Sequence, residues 1–86
     1  MKQLLVVSTS WCAPCKAIKP IMQELSQTYN ISMVDAEANP EISSQYSVMG
    51  VPTIILLENG VEKNRFSGFR TKEQIINFLQ VFLGSS

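Results

Sequence analysis

The stretch Trp11-Cys12-Ala13-Pro14-Cys15-Lys16 holds both cysteines of this 86-residue chain. The apolar, partly β-branched residues 4–8 precede it and predict a strand that is buried on both faces. Residues 13–29 follow it with apolar side chains at helical spacing. The two cysteines therefore lie three positions apart where a strand gives way to a helix. At this spacing the two sulfurs can form and break a disulfide with little movement of the backbone.

The first half of the chain predicts a strand, a helix, a second strand and the start of a second helix. We expect the first helix to run from residue 13 to 29, with Asn30 ending it in a left-handed conformation. Residues 31–36 predict the second strand. Asn39-Pro40-Glu41 is typical of a helix start, because an asparagine side chain can cap a helix and proline suits its first turn. We expect this second helix to end before Gly50.

The second half predicts a hairpin followed by a helix. Residues 53–57 and 61–67 read as strands, and Asn59-Gly60 between them is typical of a hairpin turn. Thr71 and Gln74 have the spacing of a capping box, which predicts the start of the last helix. We expect Gly84 to end this helix and its apolar side chains to be buried, namely Ile75, Ile76, Phe78, Leu79 and Phe82.

The resulting order of elements, β-α-β-α-β-β-α, predicts an α/β fold in a single domain that spans residues 1–86. The first two strands should be parallel and joined by a right-handed crossover. The last two strands should form a hairpin that the final helix covers. We therefore expect one four-stranded mixed sheet flanked by three helices, with helices on both faces.

The composition argues against several functions. Seven Lys and Arg residues balance seven Asp and Glu residues and form no cluster, so we expect neither nucleic-acid binding nor attraction to anionic membranes. Residues 1–8 carry an apolar run that is too short for a secretory signal, and no segment approaches transmembrane length. We expect a monomer in the reducing cytoplasm, where a lone cysteine pair is more often catalytic than structural.

The positions of the two cysteines assign their chemical roles. Unpaired N–H groups in the first helical turn and the positive end of the helix dipole stabilise a thiolate at Cys12. We expect Cys12 to be exposed and to be the nucleophile that opens a substrate disulfide and forms a mixed disulfide. Cys15 lies one turn further along the helix. We expect it to be more buried and to attack Cys12, which releases the reduced substrate.

Other interpretations of these residues need weighing. A structural zinc site needs four Cys or His ligands, and this chain has two cysteines and no histidine, so such a site would require a dimer interface. An inert disulfide would close so short a loop that it would stabilise the fold little. Trp11 could be a core residue, but beside a nucleophile it fits better as a partly exposed wall of the site.

The combined motifs resemble the thioredoxin family over nearly the whole chain. Residues 11–16 are similar to the active-site signature of that family, with Ala13 in place of its usual glycine. Further segments match its kink proline, second-strand exit, cis-proline loop, hairpin and groove glycine, namely Pro20, residues 34–40, residues 50–53, Asn59-Gly60 and Gly68. The resemblance implies a thioredoxin-like fold and a redox-active disulfide between Cys12 and Cys15, with no metal or organic cofactor.

The resemblance also implies a groove for protein substrates. It implies a cis peptide bond before Pro52, whereas the sequence alone favours an ordinary trans proline at the start of a strand. With the cis bond, the backbone of Val51 would face a substrate strand and pair with it. Gly50 and Gly68 are either plain turn glycines or positions where a substrate backbone can approach. The expected groove is flat and uncharged, and consists of Trp11, Met49, Gly50, Val51, Pro52 and Gly68.

Two departures from the family pattern are expected to matter. The chain begins at the strand that leads into the cysteines, so the strand and helix that open most thioredoxins are expected to be absent. Val6 occupies the position of the family's buried aspartate, the proton acceptor for the resolving thiol, and Met33 that of the lysine facing it. A buried valine costs nothing to desolvate. We therefore expect a drier site, where Cys15 loses its proton to water or to the departing substrate thiolate, and slower resolution near neutral pH.

The resemblance implies a thiol–disulfide oxidoreductase that reduces protein disulfides. A thioredoxin reductase or similar electron donor would recharge it, and ribonucleotide reductase is a family-typical acceptor. Two alternatives stay open. A glutaredoxin-like, glutathione-dependent reductase fits the size of the chain but not the Trp-Cys-x-Pro-Cys pattern, and a docking module on a larger enzyme would act independently of redox state. A periplasmic or luminal oxidant is a weaker alternative, because the sequence shows no signal segment.

Overall fold

The elements follow the order that the sequence predicts. The computed structural model describes the backbone of residues 2–83 and the side chains of residues 2–80. The strands are β1 (Lys2–Ser8), β2 (Ile31–Asp35), β3 (Thr53–Glu58) and β4 (Val61–Ser67), and the helices are α1 (Ala13–Leu25), α2 (Pro40–Gln45) and α3 (Lys72–Leu83). The predicted hairpin between β3 and β4 is therefore confirmed, as is the β-α-β-α-β-β-α order.

The four strands form one mixed sheet in the order β2-β1-β3-β4. Strand β1 pairs parallel with β2 and antiparallel with β3, and β3 pairs antiparallel with β4. The end of β1 lies beside the end of β2 and the start of β3, because Ser8 is opposite Asp35 and Val7 is opposite Thr53. Three loops therefore meet at one edge of the sheet: residues 9–12, 36–39 and 50–52.

The core lies on both faces of the sheet, as expected. On one face α1 and α3 pack against alternate strand residues, in a cluster of Leu4, Val6, Ile18, Met22, Leu25, Ile54, Leu56, Phe66, Ile75, Phe78 and Leu79. On the other face Leu5, Val7, Ile55 and Leu57 pack against residues of α2 and its flanking loops. Each fully buried aliphatic side chain of this kind stabilises the fold by about 1.5–3 kcal/mol. Strand β1 is thus held from both sides, which fixes the position of the segment that follows it.

The predicted end of α1 is wrong. The helix ends at Leu25, four residues before Tyr29, and Asn30 is not among the described residues with a positive φ. The Ser26 hydroxyl donates to the Gln23 carbonyl at 2.6 Å, and the next N–H groups bond carbonyls three residues back. This tighter turn satisfies the last carbonyls of the helix without a left-handed residue.

The expectation that the Asn39 side chain caps α2 is also wrong. Asn39 does precede the first residue of the helix, but its side chain makes no capping hydrogen bond. Its Nδ2 donates instead to the Asp35 carbonyl at 3.2 Å, and its backbone N–H donates to the same carbonyl at 2.9 Å. The Asp35 carboxylate accepts from the Glu37 N–H at 2.8 Å. Hydrogen bonds from residues 37 and 39 therefore hold the loop after β2 against Asp35 and fix the position of that residue.

Both local signals of the second half are confirmed. Asn59 and Gly60 have φ values of 54° and 83°, as a type I′ hairpin turn requires. The Thr71 N–H donates to Gln74 Oε1 at 3.0 Å, and the Gln74 N–H donates to Thr71 Oγ1 at 3.2 Å. In α3 Ile75, Phe78 and Leu79 are buried and Ile76 is partly buried, as predicted. The Phe82 side chain and Gly84 lie outside the described residues.

Candidate active site

Cys12 is the N-cap residue of α1, as the sequence predicts. It has φ −83° and ψ 117°, and its Sγ accepts a hydrogen bond from the Cys15 N–H at 3.2 Å. This N–H belongs to the first helical turn, where backbone donors have no partner within the helix. The Cys12 sulfur therefore lies at the positive end of the α1 dipole and accepts one of its orphan donors. Both cysteines are free thiols, so the structure represents the reduced form.

The cysteine loop and the proline loop are in direct contact. The Cys12 Sγ donates to the Val51 carbonyl oxygen at 3.4 Å. The peptide bond between Val51 and Pro52 is cis, so the bond that the family resemblance implied is confirmed. The Val51 carbonyl faces Cys12, whereas the sequence reasoning placed the backbone of this residue opposite a substrate strand.

The expectation that Cys12 is exposed is wrong. Cys12 is 5% exposed and Cys15 is 3% exposed, so both are buried. The physical reason is that the Cys12 sulfur turns inward, between the first turn of α1 and the Val51 carbonyl. The two sulfurs are distinguished by their hydrogen bonds rather than by their access to solvent.

The environment of Cys15 favours its protonated form. Burial raises the pKa of the Cys15 thiol from its ordinary value of 9.0 to about 11, and the hydrogen bond and negative charge of Cys12 add to this effect. A backbone hydrogen bond from Thr9 acts in the opposite direction and lowers the pKa of Cys15. Together these effects leave Cys15 protonated near neutral pH.

Two of the predicted groove residues are prominent surface side chains. Trp11 is 67% exposed, which confirms that it is not a core residue, and Met49 is 97% exposed. At this exposure the Met49 side chain packs against almost nothing. Phe69, which the sequence reasoning missed, is a further exposed apolar residue directly after Gly68. Its position in the sequence, between the predicted turn glycine Gly68 and the helix cap Thr71, could have indicated an exposed aromatic side chain.

The remaining predicted groove residues are joined by backbone contacts. The Gly68 N–H donates to the Pro52 carbonyl at 2.9 Å, and the Thr53 hydroxyl donates to the Gly50 carbonyl at 2.6 Å. Gly68 has φ 87°, where glycine is favoured, and a Cβ atom on Gly50 or Gly68 would meet nothing within 4 Å. Pro52 is buried and Val51 partly buried. These contacts bring Gly50, Val51, Pro52 and Gly68 together, with open space over both glycines.

The two departures from the family pattern are neighbours in the sheet. Val6 lies opposite Met33 in the parallel register of β1 and β2. Val6 is 0% exposed and belongs to the core cluster shared with α1 and α3. The sheet beneath the cysteines is therefore apolar, as expected, and offers no carboxylate at this position.

The site is nevertheless reached by a pocket that the sequence did not predict. A surface pocket of about 410 Å³ lies beside Cys15. Its walls come from the end of β1, the first turns of α1 and the end of β2, and include Thr9, Cys15, Lys16, Lys19, Met33 and Asp35. The sheet side of the cysteines is apolar, whereas the walls of this pocket include polar and charged side chains.

A pair of free thiols at a helix N-terminus, backed by an α/β sheet, defines the class of thiol–disulfide exchange proteins. The family model described as Thioredoxin matches residues 1–81. A thioredoxin of Staphylococcus aureus is 34% identical over 94% of this chain and 82% of the relative. The chain therefore belongs to the thioredoxin family.

Solved structures agree on the fold. A mutant thioredoxin from Halobacterium salinarum NRC-1 has a TM-score of 0.88 at 23% identity and covers 94% of this chain and 74% of that chain. Fasciola hepatica thioredoxin has a TM-score of 0.85 at 26% identity, over 93% of this chain and 79% of that chain. The predicted thioredoxin-like fold is confirmed.

Membership of the family establishes the activity at a general level. The chain is a thiol–disulfide oxidoreductase that acts on disulfides, and thioredoxins receive their electrons from a reductase. Across residues 2–83, no helix is both long and apolar enough to cross a membrane.

Proposed function

We propose that the chain reduces disulfides of other proteins, with Cys12 as the nucleophile and Cys15 as the resolving thiol. The observation that carries this assignment is the hydrogen bond from the Cys15 N–H to the Cys12 Sγ. The Cys12 thiolate attacks one sulfur of a substrate disulfide, and the other sulfur leaves as a thiolate. Cys15 then gives up its proton and attacks Cys12. The bond between Cys12 and Cys15 forms, the mixed disulfide breaks, and two electrons have passed to the substrate.

The contact between Cys12 and the Val51 carbonyl supports a further step in this assignment. In the thiol form Cys12 donates to that carbonyl, whereas a mixed disulfide at Cys12 has no proton to donate. The carbonyl is then left without its Cys12 partner at the moment when a substrate segment lies beside it. An extended substrate segment has backbone N–H groups that can take this place.

A groove of Trp11, Met49, Gly50, Val51, Pro52 and Gly68 would hold the polypeptide around the substrate disulfide. Exposed apolar side chains at its margin and two glycines with open space above them support this role. The groove carries no charged side chain, so it would select substrates by shape and apolar contact rather than by charge.

The electron donor we propose is a thioredoxin reductase or similar enzyme, and ribonucleotide reductase is a family-typical acceptor. The proposed location is the cytoplasm, and the proposed state is a monomer. Regeneration of the reduced chain by NADPH with thioredoxin reductase, compared with NADPH, glutathione and glutathione reductase, tests the donor. Rapid regeneration by the first system alone supports the proposal, and rapid regeneration by glutathione favours the glutaredoxin-like alternative.

Removal of an apolar groove side chain is expected to slow the reduction of proteins but not of small disulfides. For Met49→Ala we expect kcat/KM toward a folded protein disulfide to fall about fivefold to tenfold, the range for one exposed apolar contact at an interface. The rate with the small disulfide dithiobis(nitrobenzoate) should be unchanged, because this reagent does not need the groove. Stopped-flow and steady-state assays measure the two rates.

Val61→Ala is the matched control, because Val61 is also exposed and apolar but lies in the β3–β4 hairpin. It should leave both rates at the wild-type level. An equal loss in the Met49 and Val61 variants, or a loss with the small disulfide as well, would argue against a substrate groove at Met49.

A further inference from the structure

Thr9 carries a buried hydroxyl without a partner. The residue is 9% exposed, and its Oγ1 makes no hydrogen bond. A buried hydroxyl in this state has lost its hydrogen bonds to water and gained none in return, which is unfavourable. Valine has the same shape and would avoid that cost. A buried polar atom of this kind requires an explanation, and a role in the chemistry of the site is one.

Thr9 lies next to the resolving cysteine. Thr9 and Cys15 line the same pocket, and the backbone of Thr9 is close enough to the Cys15 sulfur to lower the pKa of that thiol. Oγ1 is three covalent bonds from the nitrogen of Thr9. In the thiol state the hydroxyl is not engaged with the sulfur. A rotation about the Cα–Cβ bond is the only movement needed to change its direction.

The pocket beside Cys15 offers a route for the proton of this thiol. It is lined by both Thr9 and Cys15, and its volume of about 410 Å³ accommodates several water molecules. The charged groups on its walls are Lys16 and Lys19 from α1 and Asp35 from β2. Cys12 is the other titratable group beside Cys15, while the proline loop at residues 50–53 contributes no charge. Water in this pocket can therefore accept a proton from Cys15 without a buried carboxylate.

We propose that the Thr9 hydroxyl donates a hydrogen bond to the Cys15 thiolate while that thiolate attacks the mixed disulfide. This rests on the proposed role of Cys15 as the resolving thiol. The Cys15 proton passes to water in the pocket, and the hydroxyl turns toward the sulfur that has become charged. The thiolate then attacks the Cys12 sulfur, the Cys12–Cys15 bond forms, and the substrate sulfur leaves with the electron pair. The hydroxyl has no partner in the resting thiol because its partner is the charged form.

The test separates the two steps with stoichiometric dithiobis(nitrobenzoate) and reduced protein in a stopped-flow instrument. The first coloured thiolate released reports the attack by Cys12, and the second reports resolution by Cys15. For Thr9→Val we expect the second step at pH 7 to slow about tenfold, as loss of one hydrogen bond to a charged group predicts. Its inflection should move to higher pH by about one unit, with the first step unchanged.

Thr9→Ser keeps the hydroxyl and should resolve within about twofold of the wild-type rate, as a retained hydrogen bond predicts. Thr9→Ala removes the hydroxyl without adding a methyl group and should resolve as slowly as Thr9→Val. Denaturant unfolding should show Thr9→Val to be at least as stable as the wild type, because an unpartnered polar atom has been removed.

The inference is overturned if Thr9→Val and Thr9→Ala resolve at the wild-type rate at every pH. It is also overturned if Thr9→Ser is as slow as they are, since shape rather than the hydroxyl would then matter. Absence of the first release in the wild type would instead contradict the proposed role of Cys12, and the inference would fall with it.

Discussion

Replacing Cys15 by serine is expected to stop turnover and leave the substrate covalently attached to the chain. The first attack needs only Cys12, whose sulfur keeps its hydrogen bond from the backbone N–H of residue 15 in this variant. Serine cannot break the mixed disulfide, so the complex should accumulate to one substrate per chain. Non-reducing gel electrophoresis and intact mass measure the adduct, and an NADPH-coupled assay measures turnover.

Cys12→Ser is the matched variant, and we expect it to form no adduct and to have no turnover above the uncatalysed rate. Serine is a far weaker nucleophile than a thiolate at neutral pH. The double replacement Cys12→Ser with Cys15→Ser also tests the docking alternative. Retention of biological activity by that double variant would contradict a redox role and favour a docking module on a larger enzyme.

The resolving step is expected to accelerate strongly with rising pH. The attacking species is the Cys15 thiolate, and burial raises the pKa of this thiol to about 11. An acid with a raised pKa is mostly protonated at neutral pH, so the thiolate fraction and the rate should rise about tenfold per pH unit above pH 7. The increase should level off as pH approaches the pKa of Cys15.

The pKa of Cys15 in the mixed disulfide determines the pH at which the rate levels off. In that state Cys12 carries no charge, so its contributions to the raised pKa are gone, while the larger contribution from burial remains. The inflection should therefore fall above neutral pH, because burial is the largest cause and still raises the pKa, and no higher than about 11. The second release phase with dithiobis(nitrobenzoate), followed over that pH range, measures it. An inflection near pH 7, or a rate independent of pH, would show that another group sets the proton transfer.

The parts of the fold that could be predicted are those that local sequence determines. Asn59-Gly60 specifies a hairpin turn because both residues tolerate positive φ, and Thr71 with Gln74 satisfies two orphan N–H groups within one turn. The errors arose where two local partners compete. The Asn39 side chain could cap α2 or bond the Asp35 carbonyl, and only the folded loop shows that it does the second.

The candidate site likewise has features that local sequence predicts and features that only tertiary contacts create. The position of Cys12 at the N-terminus of α1 follows from the pattern of apolar residues, but its burial does not, because the Val51 carbonyl that covers it comes from a loop 39 residues away. The pocket beside Cys15 combines residues of β1, α1 and β2. The unpartnered state of Thr9 Oγ1 is likewise a property of the packed structure. No spacing in the sequence could have indicated either feature.

The proposed mechanism depends on Cys12 being the reactive sulfur of the pair, held at the first turn of α1 by the Cys15 N–H. Limited alkylation of the reduced chain with iodoacetamide at pH 7, mapped by mass spectrometry, tests it most directly, with the same chain unfolded in urea as the reference. We expect Cys12 to be modified faster in the folded chain than in the unfolded one, even though it is largely buried, and Cys15 to stay unmodified. Equal or slower modification of Cys12 in the folded chain, or earlier modification of Cys15, would contradict it.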